Sequence, residues 1–555
     1  MSTGRNDPCP CGSELKYKRC CHDSALDATA QLWHIQLKKT TRNANLLIIL
    51  KNIERWSLDC DVAPNNLKDA IISSWYLAFL AIQYIANEDP SSAREIGEAQ
   101  FREAVNLILK IPYSVREFEK EVINGEFKHF IRTSYLQDSY NEPMFKLWGR
   151  GLIFYKYYKE YDARQKFNIL VQFKEVYGLD PDTFFFLGMA FYATATINAD
   201  FNVAKILGTT EPKFRPYVSK EKVDKFLTAL SATPQTLRET YLEKLDIKTI
   251  EFKLNPLKSH PIVDHGAGVY SIPVIRLLIE KIFTGVFYDL SDFLQRDNQA
   301  KNPFRMYFGE LFERYVGELI DHHLGNGYEI HHSFDAEGLE IDHLIVERDK
   351  ALFVIETTLV STTLQLRESA GVEEVRRYSE RLAAEIEKLY RREQAARKLK
   401  GQVKAYPVLV IYEPLPLANS IFRGHIDQIL EKKYEIKDYH YHIINISEFE
   451  YLCDLALKKK FLLSEVFSRK ETTEGFDLRE YIFGFMRSNI SGEQGTDRQI
   501  KIRKKYASCL QADWEDFLRY EINAAESALF CDYLRDITEK FWQELGLSVP
   551  GEAAS

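Results

Sequence analysis

The sequence predicts an α+β protein that is predominantly helical. Apolar residues recur at three- and four-residue spacings through most of the 555 residues, which is the pattern of amphipathic helices. The exception is a block of short apolar runs between residues 328 and 446, separated by turns and by one long amphipathic helix. Such runs are typical of strands in a mixed sheet flanked by helices.

Composition favours packed domains and argues against a membrane protein. Hydrophobic residues make up 45% of the chain and aromatic residues 13%, enough for two to four packed domains. The net charge of -8 excludes a surface that is basic throughout, although local basic stripes can still bind nucleic acid. No apolar run reaches the roughly 20 residues of a membrane span, and residues 1–7 lack the apolar segment of a secretory signal. We therefore expect a cytoplasmic protein without membrane contact; the sequence does not predict its oligomeric state.

Cysteines crowd into the first region, residues 1–26. The pair Cys9 and Cys11 is followed by the adjacent Cys20 and Cys21, in a segment too short to build a hydrophobic core. Four thiolates can close a tetrahedral zinc site, and the energy of metal binding then stabilises the fold. The alternative is four unliganded thiols. The spacing predicts a structural zinc knuckle.

The residues around these cysteines resemble the SEC-C zinc-binding motif. The similarity runs over residues 4–22, through GRNDPCPCGS and KYKRCC. It implies Zn²⁺ held by Cys9, Cys11, Cys20 and Cys21, with His22 a weaker candidate one position later. A closed four-sulfur site has no open position for a water, so the resemblance implies a module that docks a protein partner.

Helical periodicity dominates the second region, residues 27–266. It recurs, for example, over Ala70–Ala86, Leu147–Phe167 and Lys220–Leu230. Tyrosines such as Tyr155 and Tyr158 can be read as a base-stacking surface or as packing between helices, which their spacing favours. The residue pattern of this region predicts a helical fold but indicates no functional site.

The third region, residues 267–470, is predicted to contain the mixed sheet. A helix with Leu311, Phe312 and Tyr315 on one face ends at residues 325–327. Strands and helices then alternate in the order three strands, helix, strand, helix, strand. They are expected at Tyr328–Phe334, Leu339–Val346, Ala351–Thr358, Val375–Leu389, Val403–Tyr412, Leu417–Lys432 and His440–Ile446. A fourth region, residues 471–555, is predicted to be helical.

The strand order and two acidic strands resemble the PD-(D/E)xK nuclease superfamily, and especially the nuclease-related domain within it, over about residues 303–450. The matching runs are EIDHLIV, which contains Asp342, and FVIET, which contains Glu356. The resemblance implies that Asp342 is the main metal ligand, Glu356 the second, and Glu313 the helix acid that completes the metal shell. Two carboxylates and a phosphate oxygen suit Mg²⁺ or Mn²⁺, so the implied activity is hydrolysis of DNA, or of RNA.

Thr358 departs from that family pattern. The residue two beyond the glutamate shares its strand face, and in the family it is a lysine that stabilises charge in the transition state. Losing one such group typically costs roughly 100-fold to 1000-fold in rate. Cations that could replace the lysine are Lys350, Arg367, Arg376 and Arg377. A catalytically inactive nuclease-like adaptor, or acids that meet by coincidence, are the alternatives.

Each of the other charged clusters has two possible interpretations. The run Arg391, Arg392, Arg397, Lys398, Lys400 and Lys404, and the cluster between Lys501 and Lys505, can follow a phosphate backbone or form solvated helix faces. The pairs His322–His323 and His331–His332 are not expected to bind one ion, and His440 and His442 lack a third ligand.

The two family resemblances together lead us to expect a bacterial, zinc-containing, metal-dependent nuclease acting in defence, restriction or repair.

Overall fold

The computed structural model of the chain describes part of it. It covers residues 28–42, 45–61, 74–88, 98–109, 144–164, 166–197, 203–208, 212–243, 254–295, 302–348, 350–362, 366–367, 370–401, 403–415, 422–459, 462–471 and 532–544, with Lys16 and Ala418. The four cysteines of the predicted zinc knuckle and the cluster between Lys501 and Lys505 lie outside the described residues. So does most of the predicted C-terminal helical region.

Helices outnumber strands among the described elements, as predicted. The helices are α1 (Ala28–Thr41), α2 (Leu46–Asp61), α3 (Ser74–Asn87), α4 (Glu98–Leu109), α5 (Met144–Leu152), α6 (Ile169–Tyr177), α7 (Pro181–Ile197), α8 (Val203–Leu207), α9 (Lys220–Leu230), α10 (Pro234–Leu242), α11 (Ile275–Glu280), α12 (Val286–Gln295), α13 (Pro303–His323), α14 (Val372–Lys400), α15 (Arg423–Tyr434), α16 (Ile446–Lys459), α17 (Leu463–Glu471) and α18 (Asp532–Glu544). The strands are β1 (Ser231–Ala232), β2 (Ile262–Asp264), β3 (Tyr270–Ser271), β4 (Tyr328–Ala336), β5 (Leu339–Glu347), β6 (Ala351–Thr358), β7 (Lys404–Ile411) and β8 (His442–Asn445). Short π-helical turns lie at Ile153–Tyr157 and Lys281–Gly285, and 3₁₀ turns at Pro212–Phe214 and Pro256–Lys258.

The described residues fall into two compact units. One comprises those within 1–126 and 169–293, and the other those within 127–168 and 294–555. The second unit thus takes a segment from far upstream. The four-region division drawn from the sequence stays a prediction.

The first unit is helical, with one small sheet. Its strands follow the order β1-β2-β3, with β1 parallel and β3 antiparallel to β2. Aromatic rings fill its interior: Phe184 lies 5.3 Å from Phe226 and 4.5 Å from Tyr177 between ring centroids. Offset and edge contacts of this kind stabilise a core beyond the area they bury.

The second unit is built on a five-stranded mixed sheet of order β4-β5-β6-β7-β8. The pairs β4–β5 and β5–β6 are antiparallel, and the pairs β6–β7 and β7–β8 are parallel. The element sequence α13, three strands, α14, β7, α15, β8 is the order expected from the sequence. The α+β, predominantly helical prediction is confirmed.

Alternation along β6 explains which side chains face α14. Leu352 and Val354 belong to the same buried cluster as Val375 and Leu382 of α14. Because side chains on a strand alternate, Glu356 and Thr358 project toward the same face. The second strand acid is therefore aimed at α14 rather than at solvent.

Helix α13 is fixed at its start and packs closely on the sheet. Asn302 caps it by accepting a hydrogen bond from the backbone N–H of Arg305 at 3.2 Å, and Pro303 occupies the first turn, where its missing N–H costs nothing. A Cβ on Gly317 would lie 3.2 Å from the ring of His343. Glycine at this position therefore allows the close approach of α13 to β5.

One predicted helix is shorter than expected. The spacing of apolar residues predicts a helix to Phe167, but helical geometry ends at Tyr157. The backbone N–H of Tyr158 bonds to the carbonyl of Ile153 at 2.8 Å, which closes a wide π turn. The residues beyond it follow an irregular path, because their side chains pack on α13 instead of on a continuing helix.

The tyrosines near that helix end serve packing. Tyr155 and Tyr158 are buried, and Tyr155 contacts Phe308 with ring centroids 6.1 Å apart. Cys453 in α16 is a buried, reduced cysteine. Among the helices that the structure describes, none combines the length and apolar character needed to cross a membrane.

Candidate active-site cleft

A cleft of about 430 Å³ opens where α13, α14 and the strands β5 and β6 meet. It is lined by Arg305, Met306, Gly309, Glu310, Phe312, Glu313, Asp342, Glu356, Thr357, Thr358, Leu359, Glu385, Lys388 and Arg392. The three acids implied by the family resemblance, Glu313, Asp342 and Glu356, thus lie together in it with Thr358, which stands at the position of the usual lysine.

Asp342 is oriented by the neighbouring strand. Its Oδ2 accepts hydrogen bonds from the backbone N–H of Thr357 at 2.8 Å and from the Thr357 hydroxyl at 2.7 Å. Burial raises the pKa of Asp342, and these two bonds oppose the rise. Thr357 therefore holds Asp342 in one orientation and favours its ionised form.

Glu356 is buried and forms an ion pair with Arg392 of α14. Its other oxygen, Oε1, is buried and has no hydrogen-bond partner among the described residues. Burial, and next the charge of Asp342, raise the pKa of Glu356 to about 9, against the opposing charge of Arg392. The neutral acid is thus the favoured form near neutral pH unless another cation is present.

Glu313 completes the acidic group from the helix side. It is half-buried, and burial followed by the charge of Asp342 raises its pKa to about 7. Its backbone carbonyl accepts a hydrogen bond from Nε2 of His343 at 3.1 Å. This requires a proton on Nε2, so Nδ1 of His343 accepts from Nδ1 of His332, 2.8 Å away. Burial lowers the pKa of His343 to about 3, so a neutral ring holds α13 against β5.

The cations considered from the sequence as replacements for the lysine are not among the cleft-lining residues. Lys350 lies at the far end of the β5–β6 hairpin, six residues and roughly 20 Å from Glu356 at 3.3 Å per residue. Arg367 bonds Glu413 at 2.7 Å, while Arg376 and Arg377 lie at the start of α14. The cleft cations are instead Arg305, Lys388 and Arg392.

The basic run from Arg391 to Lys404, which covers the end of α14 and the start of β7, is engaged in ion pairs. Lys398 binds Glu337 at 3.0 Å, Lys400 binds Glu329 at 2.7 Å and Lys404 binds Glu471 at 2.6 Å. Arg391, Arg392 and Arg397 also pair with glutamates. These ion pairs support the interpretation of the run as a solvated, charged face rather than a phosphate-binding one. Arg392 is the member of the run that lines the cleft.

The histidines singled out in the sequence have packing and hydrogen-bonding roles where the structure describes them. His442 is buried against Tyr406 and Phe467. His323 bonds the carbonyl of Leu319 at 2.8 Å, and Nε2 of His332 faces Asp321 at 3.0 Å. Residues that sequence reasoning missed are His343 and Thr357.

The donor set of the cleft fits an oxygen-preferring divalent cation. The charge of Asp342 raises the pKa of both Glu356 and Glu313, and Oε1 of Glu356 is buried without a hydrogen bond from any described residue. Across the described residues, however, no three His, Cys, Asp or Glu side chains form a preassembled metal cage. Two carboxylates in one cleft suit a cation that keeps water ligands and completes its shell with a substrate oxygen, as Mg²⁺ does.

The raised pKa of Glu356 predicts a stability effect. Between its unfolded value of 4.5 and about 9, the folded metal-free protein binds an extra proton, so stability falls as pH rises. We expect Glu356→Gln to raise the Tm of the metal-free protein at pH 8 and to flatten that pH dependence. Thermal unfolding at pH 5 to 9 with chelator measures it, with the exposed Asp335→Asn as control. A Tm of Glu356→Gln equal to or below the wild type at pH 8 would contradict the raised pKa of the buried Glu356.

The comparisons with known proteins agree with this geometry. No solved structure matches the chain. Residues 5–23 match the family model of the SEC-C motif, and residues 308–412 match that of the nuclease-related domain. The second match contains every acid that lines the cleft, including Glu313, Asp342 and Glu356. The chain therefore carries a SEC-C motif and a nuclease-related domain, as the sequence motifs indicated.

Proposed function

We propose that the cleft is the active site of a divalent-metal-dependent nuclease that hydrolyses phosphodiester bonds of DNA or RNA. The observation that carries the proposal is the meeting of Glu313, Asp342 and Glu356, from three separate elements, in one cleft beside Arg392. Buried acids with strongly raised pKa values beside a specific cation are typical of functional sites.

Asp342 and Glu356 would hold the cation, with Glu313 completing the acidic group. Mg²⁺ or Mn²⁺ held there would lower the pKa of a water and neutralise charge on the phosphate. Thr357 keeps Asp342 oriented through its two hydrogen bonds. The half-buried Glu313 is held by the hydrogen bond from His343 to its own backbone carbonyl.

Arg392 is our candidate for the role of the missing lysine. It contacts Glu356 from α14 and lines the cleft with Lys388, whereas Thr358 carries no charge. A guanidinium offers donors in a planar fork that matches a phosphate. Arg392 would thus supply positive charge to the same cleft from a helix instead of from the strand.

The charge balance of the cleft makes nucleic-acid binding depend on metal. Five acidic and three basic residues line it, a formal charge of -2 when all are ionised and of -1 while Glu356 is neutral. Phosphodiester groups are repelled by this balance, and one divalent cation removes it. We therefore expect metal and nucleic acid to bind cooperatively.

A second candidate is an adaptor that binds nucleic acid or protein without cutting. Thr358 favours it, because the strand position of the usual lysine carries no charge. The two functions separate at Glu356: hydrolysis requires this carboxylate, whereas docking through another surface does not.

The SEC-C motif is proposed to hold one structural Zn²⁺ and to dock a protein partner. This proposal rests on the match at residues 5–23 and on the capacity of four thiolates to close a zinc site. Elemental analysis of freshly purified protein should give about one zinc per chain, and a value well below one would refute it. With a nuclease-like domain, such a docking module suits defence, restriction or repair.

The proposed function is tested by cleavage of labelled duplex DNA, single-stranded DNA and RNA. We expect at least one of them to be shortened in Mg²⁺ or Mn²⁺ and none in chelator. Binding should also tighten when a divalent cation is added. Metal-dependent binding with no cleavage of any substrate would favour the adaptor, and the lack of both would refute a role in nucleic-acid chemistry.

A further inference from the structure

Arg164 lies beside the acidic side of the cleft but outside the segment that matches the nuclease-related domain. Its guanidinium contacts the carboxylate of Glu340 at 3.1 and 3.5 Å. Its backbone N–H donates to Oε2 of Glu310, a cleft-lining residue, at 2.6 Å. Its positive charge also lowers the pKa of Glu313, against the effect of burial. An arginine from about 150 residues upstream thus lies at the edge of the cleft, close enough for its charge to act on Glu313.

Contacts made by residues before and after Arg164 in the chain fix its position. Upstream, the guanidinium of Arg314 stacks on the rings of Tyr158 and Tyr161, at 4.6 and 4.4 Å from their centroids. The hydroxyl of Tyr307 also donates to the carbonyl of Tyr158 at 3.3 Å. The backbone that carries Arg164 is therefore pinned to α13 before the arginine.

Downstream of Arg164, aromatic contacts also anchor the segment to α13. The ring of Phe167 packs on those of Phe304 and Tyr307, with centroids 5.7 and 5.3 Å away. Between these anchors the side chain of Arg164 is itself 65% exposed. A fixed backbone that presents an exposed guanidinium is suited to a ligand that arrives from solvent.

The ion pair between Arg164 and Glu340 does not explain why the backbone around Arg164 is anchored to α13. Glu340 is also exposed, at 48%, and ion pairs between exposed side chains contribute little to stability because water and salt screen them. A phosphate competes well for this guanidinium, since arginine binds phosphate oxygens through two parallel N–H donors. Exchange of Glu340 for a phosphate therefore costs little free energy.

We propose that Arg164 is a substrate-binding residue of this cleft, and that it binds a backbone phosphate of the nucleic acid beside the one that is cleaved. The proposal rests on the proposed nuclease function. Lys388 and Arg392 approach the cleft from α14, whereas Arg164 approaches it from the side of Glu310 and Glu340. Contacts on both sides would fix the path of the strand across the metal ligands.

The test compares Arg164→Ala and Glu340→Gln with the wild type. Binding of the full-length protein to a labelled oligonucleotide is measured in Ca²⁺ over a salt series, and KM and kcat are measured in Mg²⁺. Arg164→Ala should weaken binding about tenfold and raise KM similarly, and it should reduce the slope of log Kd against log salt by about one. Glu340→Gln should leave binding unchanged or tighter, because it releases Arg164.

Arg376→Ala is the matched control. Arg376 is 54% exposed and bonds an exposed glutamate, Glu373, at 2.8 Å. It precedes Glu385 by nine residues, about two and a half turns, so it lies on the opposite side of α14 from the cleft. Its removal should change neither Kd nor the salt slope, and the Tm values of all variants should agree.

Two results would overturn the inference while leaving the nuclease intact. If Arg164→Ala and Glu340→Gln weaken binding equally, Arg164 acts only as the partner of Glu340. If Arg164→Ala binds as tightly as the wild type, or more tightly, with an unchanged salt slope, Arg164 does not bind phosphate. A wild type that binds no nucleic acid refutes both the proposed function and this inference.

Discussion

Asp342→Asn and Glu356→Gln are each expected to lower nucleic-acid cleavage about 1000-fold. A metal ion contributes several kcal/mol to such a reaction, and each 1.4 kcal/mol is about tenfold in rate. Both changes are isosteric and remove only charge. In Asp342→Asn the amide oxygen of the new side chain can still accept both hydrogen bonds from Thr357, so the fold around the strand should persist.

The measurement is single-turnover cleavage at saturating Mg²⁺, with Tm recorded for each variant. Asp335→Asn is the control, since Asp335 lies in the same sheet and only caps the Gly338 N–H, at 2.9 Å. It should cut at the wild-type rate. Cleavage by Asp342→Asn or Glu356→Gln within about tenfold of the wild type would mean that these acids do not hold the catalytic metal.

Arg392→Ala is expected to lower kcat by roughly 100-fold to 1000-fold, the usual cost of one charge-stabilising group. Arg392→Lys should recover part of that loss, because it restores the charge without the planar fork. Free guanidinium at millimolar concentration should partly rescue the alanine variant. Rescue separates a role in charge stabilisation from loss of packing.

Arg391→Ala provides the matched control for Arg392. Arg391 is the adjacent residue in the same basic run, is 68% exposed and pairs with Glu387. Its loss should leave kcat unchanged. If Arg391→Ala and Arg392→Ala slow cleavage equally, the run acts through general electrostatics and Arg392 has no special place in the cleft.

Much of the sheet domain could be predicted because its strands follow simple rules. After the exposed Lys404, strand β7 is buried throughout, as expected for a strand with parallel neighbours and both faces covered. The alternation along β6 also predicted that Glu356 and Thr358 share a face. Local pattern and tertiary environment agree in these strands, so the sequence is sufficient.

The basic side chains that α14 contributes to the cleft could not be predicted by the same rules. Glu385, Lys388 and Arg392 form a polar stripe at helical spacing, which is visible in the sequence. Which sheet edge that stripe faces depends on how α14 packs, over about 30 residues. Lys350 was one of the candidates from the sequence, but a hairpin places its turn far from the open ends of its strands.

The segment that carries Arg164 was missed for a related reason. Its apolar spacing predicts a continued helix, but Tyr158 and Tyr161 are held by Arg314, about 150 residues away in sequence. Thr357 was passed over because threonine on a strand is ordinary. Its role depends on the side-chain orientation of Asp342, which only the folded structure shows.

The most direct test of the metal site is Mn²⁺ binding followed by electron paramagnetic resonance, on chelator-treated wild type and Asp342→Asn. We predict that the wild type binds Mn²⁺ at this site, that Mg²⁺ displaces it, and that Asp342→Asn loses it without a lower Tm than the wild type. Equal Mn²⁺ binding by the two proteins would contradict the assignment of the cleft as a metal-dependent active site.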